Sequence, residues 1–263
     1  MPNQKIATIL IPNYKTAELT KICLRLIRKF TDLEKVEVIV IDNNSKDEST
    51  KYLESVKWIK LIKRKTISNE GGPLSHGRAL DLGLKEVKTK YVISFHTDTF
   101  VHNSQWLEYL LSFFSNPKIA GVGSWKLEQK NFFQQLGKNT ELFLKRLFGR
   151  KNNPYRHDKT YHYLRSHCAI YKTQYIKKIK TFFSDGNETP GLIMHRKLIK
   201  AGFDMIFLES SDLSKYVDHV NHATLALNAE NKNRSALKTM KAYFNFLKQP
   251  HVQSVLENKD LDL

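Results

Sequence analysis

An apolar run, Tyr91-Val92-Ile93-Ser94-Phe95, stops on the polar tip His96-Thr97-Asp98, which carries a single carboxylate. Short apolar runs read as buried strands, and open α/β sheets bind ligands just beyond the carboxyl ends of their strands. An aspartate at such a tip can hold a divalent cation against a phosphate. It can equally cap a turn. A second carboxylate, Asp42, ends the run Val36-Glu37-Val38-Ile39-Val40-Ile41 and leads into Asn43-Asn44-Ser45, which is also good turn chemistry. His219 and His222 lie three residues apart in Asp218-His219-Val220-Asn221-His222, a spacing that puts both on one face of a helix. Two imidazoles alone make no zinc site, which needs at least one more ligand. The other eight of the ten histidines are assigned to surface positions. Arg78 offers a guanidinium fork suited to phosphate oxygens, or a solvated helix charge. Gly71 and Gly72 form a hinge or simply a turn.

The elements that must position these groups follow from periodicity. Strands are expected at 6–11, 36–41, 59–62 and 91–95, with helices at 19–30, about 47–56 and 79–87 between them and a loop at 69–73. This β-α-β-α-β-α-β order predicts an α/β fold, a mostly parallel sheet with helices on both faces. Asp42 and Asp98 then converge on one crevice. Further on, a helix is expected at 106–114 and strands at 120–125, 168–171 and 205–208. A helix over 190–201 has Thr189 as N-cap and Pro190 at its first position. A basic helix covers 236–247.

The chain has 43 Lys+Arg against 26 Asp+Glu, a net charge of +17, which favours polyanionic partners: nucleic acid, anionic membrane or phosphorylated substrates. Its two cysteines, Cys23 and Cys168, build neither a disulfide framework nor a zinc cluster, and Cys23 is expected in the core. No stretch reaches the ~20 apolar residues that span a bilayer, and the first residues lack a signal-peptide pattern. A cytoplasmic protein is expected. The basic amphipathic stretches 138–156 and 232–248 suggest peripheral contact at the inner face of the membrane, a lysine face over the protein's own core, or oligomerisation through the C-terminal helix.

Four motifs in order resemble the family 2 glycosyltransferases, inverting enzymes of the GT-A fold. Ile9-Leu10-Ile11-Pro12-Asn13-Tyr14 resembles the first-strand motif. Val38 through Asp47, containing Asp42-Asn43-Asn44-Ser45, resembles the second, whose first aspartate contacts the nucleotide base. Asn69-Glu70-Gly71-Gly72 and Gly77-Arg78-Ala79-Leu80 resemble the loop and helix closing over the donor. Tyr91 to Val101 resembles the strand with the metal-binding aspartate. The likeness is good over 6–101 and thinner at Ser166-His167-Cys168-Ala169-Ile170-Tyr171-Lys172 and Leu198-Ile199-Lys200-Ala201-Gly202-Phe203.

The resemblance implies a GT-A domain at 1–225, with a nucleotide-sugar half at 1–101 and an acceptor half at 102–225, followed by a helical extension at 226–263. It implies transfer of a sugar from a UDP-, GDP- or dTDP-sugar to a glycan or lipid-linked acceptor, as in polysaccharide biosynthesis, with Mn2+ or Mg2+. Pro12, Asn13, Tyr14, Asp42, Asn44, Gly71, Arg78, Thr97 and Asp98 are the implied donor contacts. Asp98, with His222 or His219, is the implied metal set. Glu188 or Asp185 is the implied general base near the acceptor hydroxyl. One departure stands out: where the family carries a carboxylate before the metal-binding aspartate, this chain has His96-Thr97. A catalytically impaired scaffold that binds nucleotide or glycan is therefore one alternative. A basic nucleic-acid-binding protein is another, but no nucleic-acid-binding motif is found and no nucleic acid partner is expected.

Overall fold

The computed structural model describes residues 5–66, 70–125, 162–220, 223, 227, 228 and 234–263. Seven strands form one sheet in the order β3-β2-β1-β4-β7-β6-β8: β1 Ala7–Asn13, β2 Val36–Asp42, β3 Lys60–Lys63, β4 Tyr91–Phe95, β6 Ile119–Gly123, β7 Cys168–Lys172 and β8 Asp204–Phe207. β7 runs antiparallel to both neighbours, and the remaining pairs are parallel. Two short strands, β5 Thr99–Val101 and β9 Val217–His219, make a separate antiparallel ribbon. The expected fold class is the one observed.

Alternation along the strands divides the core. Ile9, Ile11, Val38 and Val40 face the side covered by α1 (Ala17–Phe30), α2 (Glu48–Ser55) and α4 (Trp106–Ser112). Leu10, Ile39 and Ile41 face α3 (Gly72–Glu86) and the helix Leu192–Lys200. α1 turns Leu19, Ile22, Cys23, Leu26 and Ile27 inward, the spacing of a helix with one apolar face. Asp47 caps α2 by accepting from the Ser49 amide at 3.0 Å, in line with a helix expected from about residue 47. On α3 the helix lies so close to the sheet that a Cβ at Gly83 would fall 2.9 Å from the side chains of Ile41 and Leu10.

Three readings are corrected. α3 begins at Gly72, not near Ala79, because Pro73 fits a first turn and leaves no amide unsatisfied. The helix expected from Pro190 starts at Leu192, with Gly191 in the left-handed region (φ 81°) as its N-cap in place of Thr189. The histidines are not all on the surface: His167 and His195 are buried.

The C-terminal helix Arg234–Leu247 packs its apolar side at home. Phe246 stacks on Phe100 with centroids 4.4 Å apart, and Tyr243 donates to Glu18 Oε2 at 2.6 Å. Leu237 and Phe244 remain exposed. The following helix, Pro250–Glu257, buries Val252 and Val255 against the same core. Beyond it, Asp262 pairs with Arg25 on α1 and accepts from Tyr52 at 2.8 Å, while Trp58 donates to the Leu261 carbonyl at 2.8 Å. The basic stretch 138–156 lies outside the described residues. No helix among the described residues is long and apolar enough to cross a membrane. Both cysteines are buried free thiols, and burial pushes Cys168 up to about 12.

Candidate active site

Because β1, β2 and β4 are parallel neighbours, their carboxyl ends open on one side. Asn13 ends β1, and its register partner Asp42 ends β2. The fully buried Asn13 amide donates to Asp42 Oδ1 at 3.0 Å, Ser49 Oγ at 2.9 Å and Ser45 Oγ at 3.1 Å. Its oxygen accepts from Thr20 at 2.7 Å and Thr16 at 3.3 Å. Thr50 donates to Asp42 Oδ2 at 2.9 Å. Thr16 meets Thr97 at 3.4 Å, so a polar chain runs from Asp42 to the tip of β4. Pro12 is buried in β1, whereas Tyr14 points outward, 42% exposed. Asn44 has a positive φ of 63° and donates to Thr66 at 3.0 Å.

Glu70, from the loop before α3, receives Arg64 and Arg78 on one oxygen, each at 2.6 Å. The Arg64 hydrogen bond, helped by Arg78, lowers Glu70 from the ordinary 4.5 to about 2 against the opposing effect of burial. Arg64 also donates to Asn43 at 2.6 Å, and its amide reaches the Asp42 carbonyl at 2.9 Å. Arg78 thus has a carboxylate partner here, with its side chain 38% exposed. Gly71, exposed, stands immediately before α3.

At the tip of β4 the chain folds back, with the Thr99 amide on the His96 carbonyl at 3.2 Å. Asp98 is 3% exposed. β5 pairs with β9 so that Thr99 faces His219, and the Val220 amide donates to the Asp98 carbonyl at 3.0 Å. This ribbon carries His219 to Asp98: Nε2 lies 3.3 Å from Oδ1. His96 Nδ1 approaches the same oxygen at 3.6 Å. Asp98 Oδ1 and His219 Nε2 are both buried without a hydrogen-bond partner. Burial pushes the Asp98 carboxyl up, but the imidazoles of His219 and then His96 outweigh it and hold Asp98 well below the usual carboxylate range. An ionised carboxylate oxygen and an imidazole nitrogen, converging without bonding each other, suit a divalent cation.

Two further histidines join this cluster. His167 stacks on His219 (centroids 4.8 Å, 15° between planes) and meets Ser124 Oγ through Nε2 at 3.0 Å. His76 packs edge-on against His96 at 4.7 Å, and burial lowers it to about 3. Neither was singled out by sequence. The nearest signal for His167 was its place in the thinner part of the family likeness. His222 lies outside the described residues. Of the two acids read as bases, Asp185 accepts from Thr181, from the Phe182 amide at 3.0 Å and from Lys197 at 2.8 Å. Glu188 is exposed, just before the helix Leu192–Lys200.

The family model described as Glycosyl transferase family 2 matches residues 8–180. The chain belongs to that family. It is a glycosyltransferase, and of the strand-tip cluster His96 and Asp98 lie within the matched residues and His219 beyond them. No curated protein matches the sequence. Solved structures share the fold at low identity. TarS 1-349 of S. aureus is 15% identical with a TM-score of 0.56, over 92% of this chain and 71% of that one. The same protein solved with UDP-GlcNAc is 16% identical with a TM-score of 0.56, over 92% and 72%. The mannosyltransferase PcManGT of Pyrobaculum calidifontis, solved with GDP-Man and Mn2+, is 15% identical with a TM-score of 0.53, over 97% and 79%.

Proposed function

We propose that this glycosyltransferase moves a sugar, with inversion, from a nucleoside-diphosphate donor to a glycan or lipid-linked acceptor, assisted by a divalent cation. The observation that carries the reading is the buried, unpartnered pair Asp98 Oδ1 and His219 Nε2 at 3.3 Å, on the side of the sheet where Asp42 also emerges. Asp98 and His219 would hold the cation, and His222 is a further candidate from sequence. Such an ion, when bound, neutralises charge developing on the diphosphate leaving group. The structures of TarS with UDP-GlcNAc and of PcManGT with GDP-Man and Mn2+ support a UDP- or GDP-linked donor.

The chain's own residues divide the remaining work. Asp42, fixed by Asn13 and Thr50, receives hydrogen bonds from the nucleotide base. Pro12, Tyr14, Asn44, Gly71 and Thr97 line the donor's path. Arg78, 38% exposed at its side chain, exchanges Glu70 for a phosphate oxygen. Glu188 takes the proton of the attacking acceptor hydroxyl. Asp185, already held by Lys197, positions the segment before it. The net charge of +17 suits a phosphate-bearing or membrane-surface acceptor.

Melting with UDP-, GDP- and dTDP-sugars in the presence of Mn2+ tests the reading, since a ligand that binds only the folded state raises the melting temperature. One donor is expected to raise it, and Asp98→Ala to abolish the rise. No rise with any nucleotide sugar would sink the proposal. A rise without transfer or hydrolysis would favour a binding scaffold instead.

A further inference from the structure

The atoms converging on Asp98 are mostly nitrogen. His96 Nδ1, Asp98 Oδ1 and His219 Nε2 all lie within 4.8 Å of one another, with edges of 3.6 and 3.3 Å to the carboxylate. Ligands of a tetrahedral zinc-like ion stand about 3.4 Å apart. Two of the edges are therefore already close to that spacing, and small side-chain movements close the third.

The rings are also held from behind. His96 Nε2 meets Ser166 Oγ at 3.0 Å, which leaves Nδ1 for the Asp98 side, and metal-binding histidines are oriented in this way by a partner on the other nitrogen. His167, itself fixed by Ser124, stacks on the His219 ring and sets its plane. His96 is 29% exposed at its side chain, so one side of the cluster stays open.

We propose that His96, Asp98 and His219 form a three-ligand metal centre that fills in the free enzyme, before any nucleotide binds, with an imidazole-preferring first-row ion. Co2+ and Zn2+ fit this description, and Mn2+ occupies the same ligands more weakly. Mg2+ does not: it is commonly held by one or two carboxylates plus the substrate's own phosphates, and it sheds water reluctantly. Imidazole nitrogens favour the later divalent metals. Two imidazoles and a carboxylate are the protein ligands of an open, catalytic-type site, which needs no nucleotide to complete it. The inference rests on the metal-assisted reading above and adds to it His96, the ion class and the order of loading.

The metal-free full-length chain is titrated with Co2+ without nucleotide and followed by visible absorption. One ion is expected to bind, and Mg2+ in about 1000-fold excess to leave it in place. His96→Ala is expected to weaken Co2+ by about 100-fold, and Ser166→Ala by about 10-fold. Pulsed electron paramagnetic resonance of Mn2+ on the unmodified chain checks the ligands without substitution. Coupling to two imidazole nitrogens is expected, and coupling to only one overturns the role of His96. The inference is also overturned if Co2+ binds only once UDP or GDP is added, or if His96→Ala leaves its affinity unchanged. Those failures leave the donor reading intact, because it requires the cation only alongside the nucleotide. Conversely, a centre that loads as described in a chain binding no nucleotide sugar sinks the donor reading alone.

Discussion

The two strand-tip aspartates, Asp42 on β2 and Asp98 after β4, are both 3% exposed, yet their surroundings are opposite. Asp42 is held by neutral donors: Asn13 on one oxygen and Thr50 on the other. Asp98 is left short, with Oδ1 facing two imidazoles at 3.3 and 3.6 Å and no hydrogen bond. A buried carboxylate oxygen that accepts no hydrogen bond is costly, and the two imidazoles beside Asp98 offset that cost. The contrast separates a carboxylate fixed by neutral donors from one that faces imidazole nitrogens.

The largest test breaks the contrast at Asp98. Asp98→Asn keeps the shape and removes the charge, and transfer measured by product release is expected to fall about 1000-fold with the fold intact. The corresponding change at Asp42 is expected to raise the donor KM about tenfold while leaving kcat within a small factor, since a binding interaction of equal strength in the ground and transition states acts on KM alone. Equal effects on kcat at both positions would erase the distinction. Asn13→Ala strips the scaffold behind Asp42 and leaves buried polar groups unpaired. A loss of about 2 kcal/mol is expected in urea unfolding.

The smallest effect sharpens the boundary of the Asp42 side. Glu70 is lowered from 4.5 to about 2, so its ion pairs add stability that is complete above about pH 4.5 and is lost as the pH falls toward 2. Glu70→Gln is expected to melt lower than the parent at pH 7, with the gap closing across that window. A gap that persists at pH 2 would mean that packing, not charge, is what Glu70 supplies.

Strands β1 and β2 were legible in the sequence because their signals are local. Ile9-Leu10-Ile11 and Val38-Ile39-Val40-Ile41 are continuous apolar runs, as strands buried on both faces must be. Each ends on the polar residue that the site uses. The cluster at Asp98 was legible only in part. His219 was visible as a histidine after the last strand, but its approach depends on the pairing of three-residue strands β5 and β9, too short to leave a periodic pattern. His76 and His167 come from α3 and the start of β7, far apart in the chain, and no spacing rule joins them to His96. The start of α3 was missed because Gly71-Gly72-Pro73 has the composition of a loop, although proline suits a first helical turn.

Arg25 lies on α1, the helix that begins beside Asn13 and Thr16, and is almost fully buried against Asp262 and the Val255 carbonyl at 3.1 Å. The Arg25 and Asp262 partners are separated by 237 positions. Synthesis therefore delivers the guanidinium long before its carboxylate, and the back of α1 cannot close until the turn that carries Asp262 arrives. Such distant pairings slow folding, because the entropy of closing the loop is spent before the contact returns anything. The helix that begins beside the strand tips is thus made long before it is locked.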